Sequence, residues 1–170
     1  MTDWYRQSRW QLECGQTLWQ DLQQHYSSSD WRQRSRRLAY QTAILQYLKK
    51  AVQALMAALA SDNNFLPAQE VAKLDWTVID QVLQQQNYIP ATWQQIQQLQ
   101  RQGWLADLRI ACQCLNNPER SKTKQQNFSV GLIPLQDQQC VSDLDQWPLG
   151  DWLHEMQALQ HSLYTEQQEW

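Results

Sequence analysis

Apolar residues recur along most of this chain at the three- and four-residue spacing of an α-helix, and the recurrence breaks at only a few places. Over residues 3–26 the inward stripe is Tyr5, Ser8, Leu12, Gly15, Trp19, Leu22 and Tyr26. Two of its members are small. A glycine inside a helix costs about 1 kcal/mol against alanine, so Ser8 and Gly15 on this stripe predict another helix passing close by. Ser27-Ser28-Ser29-Asp30 stops the first helix and caps the second. Residues 31–60 contain no Gly and no Pro. Leu38, Leu45, Leu48, Val52, Leu55 and Leu59 form one apolar stripe there, widened by Ile44, Ala51 and Ala58. That predicts about 45 Å of helix. With so short a turn before it, this helix folds back on the first as an antiparallel hairpin.

The remaining elements are shorter. Val71, Leu74, Val78 and Val82 predict a third helix from near Pro67 to Gln86, ended by Tyr88-Ile89-Pro90. Thr92-Trp93-Gln94-Gln95 has the spacing of a capping box and opens a fourth helix with Trp93, Ile96 and Leu99 on one face, up to Gly103. A fifth spans 104–115 and carries Leu105, Leu108, Cys112 and Leu115. Residues 118–148 have no helical period. They read as a long irregular, partly mobile connection whose one apolar patch is 128–135. A last helix starts near Pro148, with Leu149, Trp152, Met156, Leu159, Leu163 and Trp170 in line. The fold class is therefore all-α: one domain over 1–170, a bundle of about five or six helices built on a long antiparallel hairpin.

Composition changes this picture little. The chain holds ten tryptophans and about thirty glutamines among 170 residues, and charged residues are only 18%. Glutamine forms helices nearly as well as lysine or glutamate, and it solvates a helix face without charge. The longest unbroken run, Gln84 to Gln86, is too short for a prion-like tract. Charge is uneven, with a net of +4 over residues 1–60 and −7 over 61–170. The opening Met-Thr-Asp-Trp-Tyr-Arg-Gln has no apolar core of a signal peptide, and the stretch 51–60 is too short to span a bilayer. Four cysteines are too few for a disulfide framework. These features predict a cytoplasmic protein with reduced thiols and no membrane partner.

Candidate chemistry is sparse. Cys112 and Cys114 on a helix point about 200° apart and cannot ligate one ion, and no second cysteine pair completes a zinc site. His154 and His161 are about 10.5 Å apart along a helix, too far for one metal. His25 lies near a helix C-terminus, where the dipole favours a cation. No nucleophile elbow, phosphate loop or His-Glu-x-x-His is present. No arginine is followed four to six residues later by a histidine in a late helix, which argues against the HEPN ribonucleases. No catalytic residue, metal or cofactor is expected.

Two surfaces remain. Arg32, Arg34, Arg36 and Arg37 cluster at the start of the long helix, against the dipole. They either pair with the acidic C-terminal part, contact phosphates or nucleic acid, or meet an acidic protein. The tryptophans exceed what the stripes need. Trp10 points about 160° from Leu12, Trp31 precedes its stripe, Trp93 opens a helix, and Trp147 lies in the connection. At least two of these four are expected to be partly exposed and to line a groove or homodimer contact.

Trp4-Tyr5-Arg6-Gln7, Ala43-Ile44-Leu45-Gln46-Tyr47-Leu48, Trp104-Leu105-Ala106-Asp107-Leu108 and the final Glu169-Trp170 resemble a family of short, helical bacterial proteins known only as a domain of unknown function. The resemblance covers nearly the whole chain. It implies a single helical domain with a loose segment before the last helix, and it carries over no catalytic residue. The functional expectation is a non-enzymatic interaction or adaptor protein, with an unknown protein partner or a second copy. A phosphate- or nucleic-acid-binding module comes second, and an enzyme with a site assembled from distant residues third.

Overall fold

A computed structural model describes residues 3–25, 33–62, 81, 91–116 and 147–168. All of these except Gln33, Gly103, Trp147 and Pro148 are α-helical, and there is no strand among them. The helices are α1 (Asp3–His25), α2 (Arg34–Asp62), α3 (Ala91–Gln102), α4 (Trp104–Asn116) and α5 (Leu149–Gln168). The all-α bundle is as the periodicity predicts. The predicted helix over 67–86, apart from Gln81, and the connection up to residue 146 lie outside the described residues.

α1 and α2 share the largest helix–helix interface and run antiparallel, with Ser8 beside Ala51 and Gly15 beside Tyr47. α5 also runs antiparallel to α1. Its Gly150 lies against Trp19, its Leu153 against Gly15, and its Gln160 against Ser8. So α1 meets two helices at once, along the stripe that carries its small residues. The Ser8 hydroxyl donates to the Ala51 carbonyl at 2.7 Å and accepts from Gln160 Nε2 at 2.7 Å. One fully buried side chain thus joins three helices, its hydroxyl both donating and accepting. Gly15, one heptad on, leaves room where a Cβ would stand 3.1 Å from Leu153 Cδ2 and 3.5 Å from Tyr47 Cβ. The same device recurs on α5. A Cβ on Gly150 would lie 2.9 Å from Trp19 Cζ2, so the glycine makes space for the indole.

α2 is 29 residues long and is not uniform. Leu45, Leu48, Val52, Leu55 and Leu59 are buried, as are Ile44, Ala51 and Ala58. Ala54, Met56, Ala57 and Ala60 are buried too, so the C-terminal half is enclosed all round rather than along one stripe. A helix with no polar face is one that other helices surround. α1 covers it through Ala51, α4 and α5 pack along it, and α3 reaches Met56, whose sulfur accepts from Gln100 Nε2 at 3.8 Å. The alanines keep the side chains short enough for these close approaches.

The N-terminal half departs from the predicted stripe. Leu38 is 46% exposed. The cause is the register. Gly150 at the start of α5 abuts Trp19 of α1, and Gly15 abuts Tyr47 of α2. α5 therefore begins near the level of Ile44. The first turns of α2 extend past the start of α5, and Leu38 lies on a turn that α5 does not reach.

Candidate interaction surface

The outer face of α1 follows from its inner one. With Tyr5, Ser8, Leu12 and Gly15 turned inward, residues 6, 9, 10, 13 and 17 face out, and all five are exposed. Trp10 is 54% exposed, the highest value among the exposed large apolar side chains of the described residues. Charged neighbours flank it. Arg9 Nε donates to Glu13 Oε1 at 3.0 Å, and Arg6 stands 3.8 Å from Asp3. These pairs are open to water and so contribute little stability. They leave an indole on a solvated, ordered helix.

The other tryptophans are placed differently. Trp93 and Trp147 are buried, and Trp10 is the exposed member of the four among the described residues. Trp93 lies on the same face of α3 as buried Ile96, the face that looks into the bundle. Its Nε1 has no hydrogen-bond partner. Trp147 precedes α5, where Leu149 N donates to the Trp147 carbonyl at 2.8 Å, and this turn folds the ring into the core. Trp152 is buried, and Trp4, Trp19 and Trp104 pack against the core. Trp31 and Arg32 lie outside the described residues.

At the start of α2, Arg34 and Arg36 are exposed, and Arg37 is half-buried and engaged with the rest of the chain. Neither Arg34 nor Arg36 enters an ion pair among the described residues. Exposed Leu38 adds an apolar side chain beside them. Ser8 is level with Ala51, fifteen residues from Arg36, so this basic turn and the neighbourhood of Trp10 are about 20 Å apart along the hairpin.

Among the described residues the histidines and cysteines form no shared metal site. His25 is exposed, and its Nδ1 donates to the Asp21 carbonyl at 3.2 Å, closing the last turn of α1. His154 and His161 are exposed on α5. Among the described residues no three His, Cys, Asp or Glu side chains come together in a way that could hold a metal ion. Cys14 and Cys112 are free thiols, but Cys114 is disulfide-bonded. That corrects the expectation of reduced thiols throughout. Among the described residues no helix is long and apolar enough to cross a membrane.

Compared with protein-family models, with curated proteins and with solved structures, the chain matches none.

Proposed function

We propose that this chain is a non-enzymatic interaction protein and that Trp10 anchors its partner. The observation that carries the reading is the 54% exposure of Trp10 on a helix whose opposite face is locked into the bundle. An indole in that position adds nothing to the core. It buries a large area with few rotors when something docks on it, and its N–H gives one directed bond. The partner is a second copy of the chain or another protein. The resemblance to a family of helical bacterial proteins enters only as a proposal of shared fold.

Iodide quenching and sedimentation test this together. The intact protein should show a readily quenched tryptophan component and concentration-dependent association, or association with a partner protein. Trp10→Ala should remove both and leave the melting temperature unchanged. A protein that stays monomeric, binds no partner through this face and shields all its tryptophan fluorescence contradicts the reading.

A second reading rests on Arg34 and Arg36, exposed and without an ion pair among the described residues. With Arg32 and Arg37 they would contact phosphates. Binding to nucleic acid would then fall steeply with salt and be lost when Arg32, Arg36 and Arg37 are changed to Gln. No binding at low salt ends this second reading and leaves the first untouched.

A further inference from the structure

α3 and α4 form a tight helical hairpin joined by Gly103 alone. Gly103 N donates to the Leu99 carbonyl at 3.0 Å, and Ala106 N donates to the Gly103 carbonyl at 2.9 Å. A Cβ at Gly103 would lie 3.0 Å from that Leu99 carbonyl oxygen, so glycine leaves room at a tight bend. Between the two helices is a cleft of about 300 Å³ lined by Gln97, Gln100, Arg101 and Arg109. Gln97, Gln100 and Arg101 stand at i, i+3 and i+4, on one face of α3. Arg109 comes across from α4. All four side chains carry N–H donors, and no carboxylate is among them.

Among the described residues no carboxylate pairs with either guanidinium. The residues three and four positions from Arg101 are Gln97, Gln98, Trp104 and Leu105. Those around Arg109 are Leu105, Ala106, Cys112 and Gln113. None is acidic, and neither arginine enters an ion pair among the described residues. Arg101 has one local reason for its position, because it lies in the last turn of α3, where the helix dipole favours a cation. Arg109 lies in the middle of α4 and has no such reason. Two like charges brought to one cleft repel each other, and an anion between them reverses the sign of that interaction.

We propose that this cleft binds a small doubly charged oxyanion, a phosphate or a dicarboxylate. A planar guanidinium presents paired N–H donors that match either group in bidentate fashion. Arg101 and Arg109 hold the two charges, and Gln97 and Gln100 form the polar wall of the cleft. The site is separate from Trp10 and stands whether or not Trp10 anchors a partner.

The test is a nuclear magnetic resonance titration of the full-length, nitrogen-15-labelled chain at low salt. Inorganic phosphate, pyrophosphate and succinate are the probes. Saturable shifts are expected at the Arg101 and Arg109 Nε–H and the Gln97 and Gln100 side-chain amides. Stronger binding of the phosphates than of succinate assigns a phosphoryl ligand, and the reverse order a carboxylate one. Arg109→Gln should raise the Kd at least tenfold. Lys50→Gln, at an exposed lysine of α2, should leave it unchanged. The proposal is overturned if no probe gives saturable shifts in the unmodified chain. It is also overturned if Lys50→Gln weakens binding as much as Arg109→Gln does.

Discussion

Leu55 and Leu38 occupy one apolar stripe of one helix, yet Leu55 is 1% exposed and Leu38 46% exposed. The difference lies in what surrounds each residue. Around Leu55, α2 is the axis of the bundle, and even its alanines are inaccessible to water. Around Leu38, α2 has run past the start of α5 and carries exposed Arg34 and Arg36 instead. A single helix thus serves as core at one end and as surface at the other.

Substitutions along the bundle turn this contrast into numbers. Leu55→Ala should be the most damaging, at about 2–5 kcal/mol, because it removes buried methyl groups and leaves a cavity that rigid helices cannot fill. Urea unfolding measures it, and a loss below about 1 kcal/mol would mean that the C-terminal half of α2 is not enclosed. Gly150→Ala should cost about 1–3 kcal/mol as the new methyl group forces the Trp19 indole aside. A stabilised Gly150→Ala protein would show that α1 and α5 are not in close contact there. Ser8→Ala should cost about 1–2 kcal/mol, since the Gln160 amide and the Ala51 carbonyl both lose a buried partner. Combining it with Gln160→Ala should cost less than the sum of the two changes; strict additivity would separate the two residues. Leu38→Ala should change stability by less than about 0.5 kcal/mol. A loss comparable to that of Leu55→Ala would place Leu38 in a core after all.

Much of the bundle is legible in the sequence because long helices repeat their pattern. Tyr5, Ser8, Leu12, Gly15 and Leu22 of the first stripe and Leu149, Trp152, Met156, Leu159 and Leu163 of the last are buried as read, Trp19 is half-buried, and Ser8 and Gly15 mark the close approach of neighbouring helices. The exposure of Trp10 follows from its angle to Leu12 on the helical wheel. The failures share one cause: burial depends on where neighbouring helices begin and end, and a heptad pattern does not carry that information. Leu38 continues the stripe beyond the start of α5. Ala54, Ala57 and Ala60 are small enough for either a surface or a core, so their enclosure is not apparent from residue type. Trp93 and Trp147 stand at the beginnings of elements, where a sequence does not reveal that the chain folds the ring inward. The cleft of Arg101 and Arg109 escapes sequence reading for a related reason. The two residues belong to different helices, and only the single-residue bend at Gly103 brings them together.

Residue-resolved hydrogen exchange along α2 tests the division of this helix most directly. Amides open locally or with the whole fold according to how much packing holds them. The amides of residues 51–60 should exchange only through global unfolding, with a free energy equal to that from urea titration. Those of residues 38–42 should exchange through local opening, at least a hundredfold faster, about 2.7 kcal/mol less protected. Equal protection at the two ends, or faster exchange at the alanine-rich end, would contradict the account of α2 as core at one end and surface at the other.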